Sequence, residues 1–200
     1  VSIKFQDYKK IKPKIKNNYL KSNINDENMN FAYSLAKLLK IKKNSFIKSM
    51  SSFLGLPHRY EIFLRKKNIT FINDSKGTSL QATKFALASS KNIYWILGGL
   101  PKYKDKIDLK YIKNNIIKAY IIGKNINFFK KQLKNKVKFS VRKNLRNAII
   151  QVLKDVKLSK QTSNTILLSP GAASFDQFEN FENRGNEFKK LSRLYAKKFI

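Results

Sequence analysis

Beyond a break at Gly55-Leu56-Pro57, short apolar runs alternate with stretches of helical spacing to the end of the chain, which leaves few folds open. Runs at 93–97, 119–122, 137–139 and 165–168 read as strands; 79–88, 109–117, 126–133, 145–156 and 184–199 read as helices. Residues 62–64 and 69–72 read as a hairpin around Lys66-Lys67-Asn68. Strands that alternate with helices build a mostly parallel sheet covered on both faces, so the expected class is α/β. Ligands of such sheets sit beyond the carboxyl ends of the strands, which points to the turns after Ile72, Leu97 and Leu168.

Upstream of the break, 11–24 holds short apolar residues among Lys and Asn with Pro13, a pattern suited to edge strands. Asn25-Asp26-Glu27-Asn28 precedes apolar residues at helical spacing and predicts a helix over 28–39. A second, short helix over 45–53 follows from Phe46, Ile47, Met50 and Phe53 sharing a face. The Gly-Leu-Pro break then marks a domain boundary.

With 42% hydrophobic and 12% aromatic residues among 200, the chain can bury a core. A net charge of +31 turns attention to nucleic acid, but 37 of the 43 cations are Lys and only 6 are Arg. Phosphate and base recognition favour Arg's rigid fork, and here Lys is spread through every segment. The Lys excess travels with 21 Asn and 22 Ile, as an AT-rich coding sequence would produce whatever the fold. No specific nucleic acid is therefore expected, and a basic nucleic-acid-binding module stands only as the alternative from a different class. The absence of Cys excludes disulfides, thiolate metal sites and a Cys nucleophile, and fits a cytoplasmic protein. No run approaches the roughly 18 apolar residues of a membrane-spanning helix, so no membrane insertion is expected. The first residue is Val1 and the chain opens directly into Ile3-Lys4-Phe5, which suggests a fragment of a longer polypeptide.

Three turns carry candidate chemistry. Asn73-Asp74-Ser75-Lys76-Gly77-Thr78 sets a carboxylate, an ammonium and hydroxyls before a helix; taken alone, it is better explained as a plain helix cap with a glycine turn. Gly98-Gly99-Leu100-Pro101-Lys102 is a tight strand exit with one cation. Ser169-Pro170-Gly171-Ala172-Ala173-Ser174-Phe175-Asp176 is a run of small residues ending on hydroxyl, aromatic and acid. Four of the twelve acids fall between Asp176 and Glu187, which a salt-bridged surface with Arg184 and the lysines around it would explain. His58 is the only histidine, so multi-His zinc sites are excluded. The one Gly-Lys pair, Gly123-Lys124, has no Gly five residues upstream and is followed by Asn125, so the chain carries no GxxxxGK[ST] phosphate loop.

Taken jointly, Gly55-Leu56-Pro57-His58-Arg59-Tyr60-Glu61, the Asn73–Thr78 string, Leu97-Gly98-Gly99 and the run from Ser169 to Phe178 resemble the Mur ligase family over roughly 24–200. Phe181-Glu182-Asn183-Arg184-Gly185-Asn186-Glu187-Phe188 narrows the resemblance to the branch that adds D-glutamate during peptidoglycan synthesis. It implies three domains: one for a UDP-sugar, a central P-loop ATPase, and a Rossmann-like C-terminal domain. Residues 1–54 would be the tail of the central ATP-binding domain and 55–200 the D-glutamate-binding domain. The implied reaction is an ATP-dependent, ADP-forming ligation. The carboxylate of UDP-N-acetylmuramoyl-L-alanine is activated as an acyl phosphate and attacked by the amine of D-glutamate.

The same resemblance places the phosphate loop and the Mg²⁺ ligands upstream of Val1, leaving no catalytic residue in this chain and a fragment inactive alone. Residue by residue, it sets Lys76, Thr78, Lys102 and Ser174 around the D-glutamate carboxylates, with Phe175 and Phe181 lining the pocket. It also implies that Asn25 and Asn28 approach the adenine of ATP, although Ile24 stands where the family usually has His. Arg59 and Asp74 match family positions that face ATP, His58 receives no role, and Leu100-Pro101 replaces the Asp-Gly common before the lysine matched by Lys102. A monomer is expected. Other Mur-type or folylpolyglutamate-type ligases are the alternative within the class, and the Ser169–Phe178 string argues against them.

Overall fold

In the computed structural model, which describes residues 5–17, 20–21 and 25–200, the chain divides into two compact units, Val1–Gly55 and Leu56–Ile200. The first unit is helical: α1 (Phe5–Ile11) runs into a 3₁₀ turn (Lys12–Lys14), and α2 (Asp26–Leu38) and α3 (Lys43–Ser52) follow. The edge strands expected over 11–24 are thus overturned for 11–14, while 18–19 and 22–24 lie outside the described residues. Tyr8, Ile11 and Ile15 recur at helical spacing and bury against Met29, Tyr33, Ala36 and Phe46; a window opened at Ile11 misses the start of that period. Pro13 sits at the head of the 3₁₀ turn, where its missing N–H has no partner to lose.

The second unit is a six-stranded sheet in the order β1-β2-β6-β3-β4-β5. β1 (Glu61–Lys66) and β2 (Ile69–Asn73) form an antiparallel hairpin. β3 (Ile93–Gly98), β4 (Ile116–Ile122), β5 (Phe139–Lys143) and β6 (Asn164–Leu168) add in parallel. Ile69, Phe71, Tyr94, Ile96, Tyr120, Ile166 and Leu168 point to the face covered by α6 (Leu145–Lys157) and α7 (Phe181–Phe199). Their alternates Ile72, Trp95, Leu97, Ile121 and Leu167 meet α4 (Leu80–Ala88) and α5 (Ile126–Leu133) on the other. Burial on both faces is why the strands read as unbroken apolar runs, and the α/β expectation holds.

The helix expected over 109–117 is not formed. Only a 3₁₀ turn (Lys113–Asn115) stands there, and Ile116 already opens β4, paired with Ile93. Ile107 and Leu109 are buried under the sheet and Asn115 donates to the carbonyl of Leu87, so the apolar spacing served loop and strand contacts. β5 also lies further on than the expected 137–139.

Candidate functional site

The chain leaving β6 crosses the carboxyl edge of the sheet and ties down every turn along it. The Asp74 N–H donates to the Leu168 carbonyl (2.7 Å), Gly171 N–H to Gly77 O (2.8 Å) and Gly98 N–H to Pro170 O (2.9 Å). Leu100 and Ala173 exchange two backbone bonds, and a Cβ on Gly99 would lie 2.2 Å from the Ala173 oxygen. Further along, Asp176 Oδ2 accepts the Lys124 N–H (2.9 Å), and Gln177 Nε2 donates to the Lys143 carbonyl (3.0 Å). Trp95, fully buried in β3, donates from Nε1 to Ser169 O (2.7 Å) and fixes the start of the crossing.

The first turn of α7 completes the site. Asn180 caps the helix by accepting the Asn183 N–H (2.7 Å), placing Phe181 as its first residue. The Lys76 ammonium lies 3.8 Å from the centre of the Phe181 ring, a cation–π distance. Ser75 Oγ donates to Phe181 O (2.8 Å) and accepts from Arg184 Nε (3.0 Å). Arg184, 1% exposed, also donates from Nη2 to Ser75 O (2.9 Å) and from Nη1 to Ala172 O (3.0 Å). Arg184 takes no part in the surface ion pairing expected of it, since among the described residues it pairs with no acid, whereas Lys190 does reach Glu187 at 4.0 Å. Burial pushes its pKa down to about 10, which still leaves it cationic at neutral pH.

His58, left without a role by the sequence, is buried with its ring edge against Phe181. Its carbonyl accepts the Lys76 N–H (3.0 Å), so it sets the backbone of the lysine turn. The Asn73 side-chain amide donates to both His58 Nδ1 (2.9 Å) and Glu61 Oε2 (3.0 Å), which puts the imidazole proton on Nε2. Burial and the nearby Lys189 hold the His58 pKa below its ordinary value. Glu61 also accepts the His58 N–H and the Lys189 ammonium. Burial alone would raise the Glu61 pKa, but these bonds hold it below the usual range. Gly185 follows Arg184 because a Cβ there would stand 2.2 Å from His58 Nδ1.

Of the residues expected at a ligand, Lys76 and Phe181 touch, and both are half-buried. Thr78 is half-buried one residue beyond Gly77, whose carbonyl the crossing chain binds, and Ser174 lies in that crossing at 2% exposure. Phe175 is 70% exposed, more open than a pocket wall requires. Lys102 is exposed in a loop that folds onto α4, where Asp105 Oδ2 accepts the Leu80 N–H (2.7 Å). Arg59 is exposed. Asp74 is buried, its carboxylate accepting from Tyr60 N (3.1 Å) and Ser169 Oγ (2.6 Å); burial, only partly offset by those bonds, raises its pKa to about 6. In the first unit Asn25 precedes α2 and Asn28 is exposed on its first turn, while position 24 lies outside the described residues. Sequence reasoning missed Arg184, His58, Asp105, Asp176 and Gln177 as organisers; the density of polar residues in 176–187 hinted at Asp176, Gln177 and Arg184 alone. Among the described residues no three His, Cys, Asp or Glu side chains gather to hold a metal, and no helix is long and apolar enough to cross a membrane.

No family model matches the chain. Curated relatives named UDP-N-acetylmuramoylalanine–D-glutamate ligase do. That of Rickettsia felis is 37% identical over 180 residues, covering 90% of this chain and 40% of the relative. That of Wolbachia sp. subsp. Brugia malayi is 40% identical over 167 residues, covering 84% and 33%. The Nitrobacter hamburgensis protein is 38% identical over 174 residues, covering 87% and 37%. The chain thus spans at most 40% of these relatives' length and matches their C-terminal part. Among solved structures, MurF from Acinetobacter baumannii shares the fold, with a TM-score of 0.56 at 14% identity over 84% of this chain and 38% of that one.

Proposed function

We propose that this chain, which belongs to the Mur ligase family, is the D-glutamate-binding part of an ATP-dependent, ADP-forming ligase that joins D-glutamate to UDP-N-acetylmuramoyl-L-alanine in peptidoglycan synthesis. The observation that carries the reading is the contact of the Lys76 ammonium with the Phe181 ring, on a turn the Ser174 segment crosses. A dicarboxylate leaving water needs a cation and hydroxyl or N–H donors at its ends and an apolar wall for its methylenes. Lys76, Thr78 and Ser174 would supply the first, with Lys102 as a second cation, and Phe181, with Phe175 at the rim, the wall.

ATP would supply the phosphoryl group that activates the acyl carboxylate. Arg59, exposed, fits a phosphate contact, and Asn28 and Asn25 are proposed for adenine. Asp74 is proposed on the nucleotide side, with its buried carboxylate bracing the Tyr60 backbone. Mg²⁺ is assigned no ligand in this chain. We assign residues 1–54 to the tail of the ATP-binding domain and 55–200 to the amino-acid domain of a monomeric, cytoplasmic enzyme with no nucleic-acid substrate.

The test is titration of the 200-residue chain with D-glutamate, read by backbone amide shifts, with L-glutamate as comparator. D-glutamate should move the amides of 75–78 and 172–175. Ser174→Ala removes a hydrogen bond to a charged group, roughly a ten- to hundredfold loss of affinity. Lys76→Met should cost more, because a carboxylate then lacks its counter-charge. With ATP, Mg²⁺ and both substrates, phosphate release by the chain alone should stay at the no-enzyme rate. A wild-type chain indifferent to D-glutamate, or folded variants that bind like wild type, would remove the assignment.

A further inference from the structure

We propose that Arg184 is a positioning residue of this site: its guanidinium fixes the spacing between the turn that carries Lys76 and the crossing segment that carries Ser174, and so sets which dicarboxylate the two can hold. The inference rests on the D-glutamate reading for its substrate, and on geometry for the rest.

One planar fork reaches both elements. Nε and Nη2 take the hydroxyl and carbonyl of Ser75, and Nη1 takes the carbonyl of Ala172, two residues before Ser174. The peptide joining Ser75 to Lys76 is thereby held at both ends, because its N–H already donates to His58 O. Ser75 Oγ closes a ring by donating back to Phe181 O, three residues before Arg184 on the same helix. The guanidinium therefore also sets where the Phe181 ring meets the Lys76 ammonium.

Nothing else in the fold explains the residue. α7 is capped by Asn180 and anchored through Phe188 and Leu191, so the helix does not depend on Arg184 for its place. All three acceptors are uncharged, and Asp176 only partly offsets the burial that disfavours the charge, so the cation is costly where a Met or Leu would pack. The feature such a substitute lacks is the fork, which spans acceptors on two separate turns. A lysine cannot reproduce it, having a single point of donation on a flexible stem.

The experiment compares the wild-type chain with Arg184→Lys, which keeps the charge and loses the fork. Two readouts are followed: amide hydrogen exchange, and the affinities for D-glutamate and the shorter D-aspartate. Exchange of the Lys76, Gly77 and Ala173 amides should quicken in the variant while α7 from Phe188 onward stays protected. D-glutamate affinity should fall roughly tenfold, the loss of about one charge-assisted bond, and the preference over D-aspartate should narrow. If Arg184→Lys proves unfolded, Ser75→Ala, which removes one acceptor and the bridge to Phe181, should give the same local pattern more weakly. Unchanged exchange at those amides, or unchanged discrimination in a folded variant, overturns the positioning role. A wild-type chain that ignores D-glutamate overturns the functional reading instead, and the exchange result then decides the positioning role alone.

Discussion

Asp74→Asn should make the second unit more stable at neutral pH, by an amount that depends on pH in a set direction. Asp74 is 9% exposed, accepts one N–H and one hydroxyl, and forms no ion pair among the described residues. Burial raises its pKa from 3.8 to about 6, so the folded protein resists its ionisation more than the unfolded chain does. Stability from a group shifted upward is fully present below the unfolded value and is lost as pH rises through the folded one. About two pH units at 1.36 kcal/mol each give a ceiling of about 3 kcal/mol. Asparagine matches the shape, can accept from Tyr60 with its oxygen and can donate to Ser169, so a gain of about 1 to 3 kcal/mol is expected. Urea unfolding of both proteins from pH 4 to pH 8 measures it. The stability difference should grow between about pH 4 and pH 6 and then level off. A difference that stays flat or shrinks as pH rises, or a variant less stable at pH 7, would refute the reasoning. Retention of an acid at this stability cost is the trade expected of a functional carboxylate, and if the proposed nucleotide role holds, the corresponding substitution in a full-length relative should lower its affinity for ATP.

Gly185→Ala should lower the melting temperature despite the helix propensity of alanine: the added carbon meets His58 Nδ1 at 2.2 Å, and overpacking of about 1–3 kcal/mol outweighs a gain of about 1 kcal/mol. An equal or higher melting point would count against the packing described. Asp155→Asn should cost about 2–3 kcal/mol at pH 7 in urea unfolding, because Lys118, Tyr120 and Gln151 all donate to that carboxylate. Burial opposes its ionisation, but these bonds hold its pKa below the ordinary value, so the deficit should shrink as pH falls through the acid range. Asp105→Ala should destabilise by about 1 kcal/mol and quicken exchange of the Leu80 amide, whose N–H it accepts; an unaffected Leu80 amide would show that water replaces the carboxylate.

Elements buried on both faces or strongly capped were legible in the sequence. The runs at 93–97 and 165–168 became β3 and β6 because every residue in those strands is buried. The helix read over 145–156 appears as Leu145–Lys157, opened by Asn144, whose side chain accepts the Asn147 N–H. Apolar residues that serve two neighbours at once were not legible: Leu109 and Ile116 mimic a helical period while packing a loop and a strand.

The turns that carry Lys76, Thr78 and Ser174 stand out because polar and small residues in a strand exit or helix start are chemically conspicuous wherever the chain goes, whereas Phe181 is singled out only by the resemblance to the Mur ligase family. Arg184 could not be singled out, since its meaning lies in Ser75, 109 residues away. The local chemistry of the three turns was thus set by the sequence alone: a cation and hydroxyls before α4, glycines after β3, small residues after β6. Their meeting was decided only in three dimensions. β6, the last strand in the chain, inserts between β2 and β3, and parallel pairing to both brings its exit loop across the other two. Hydrogen-bonded pairing between strands far apart in the chain depends on the whole sheet closing around its core, and no window of sequence contains that.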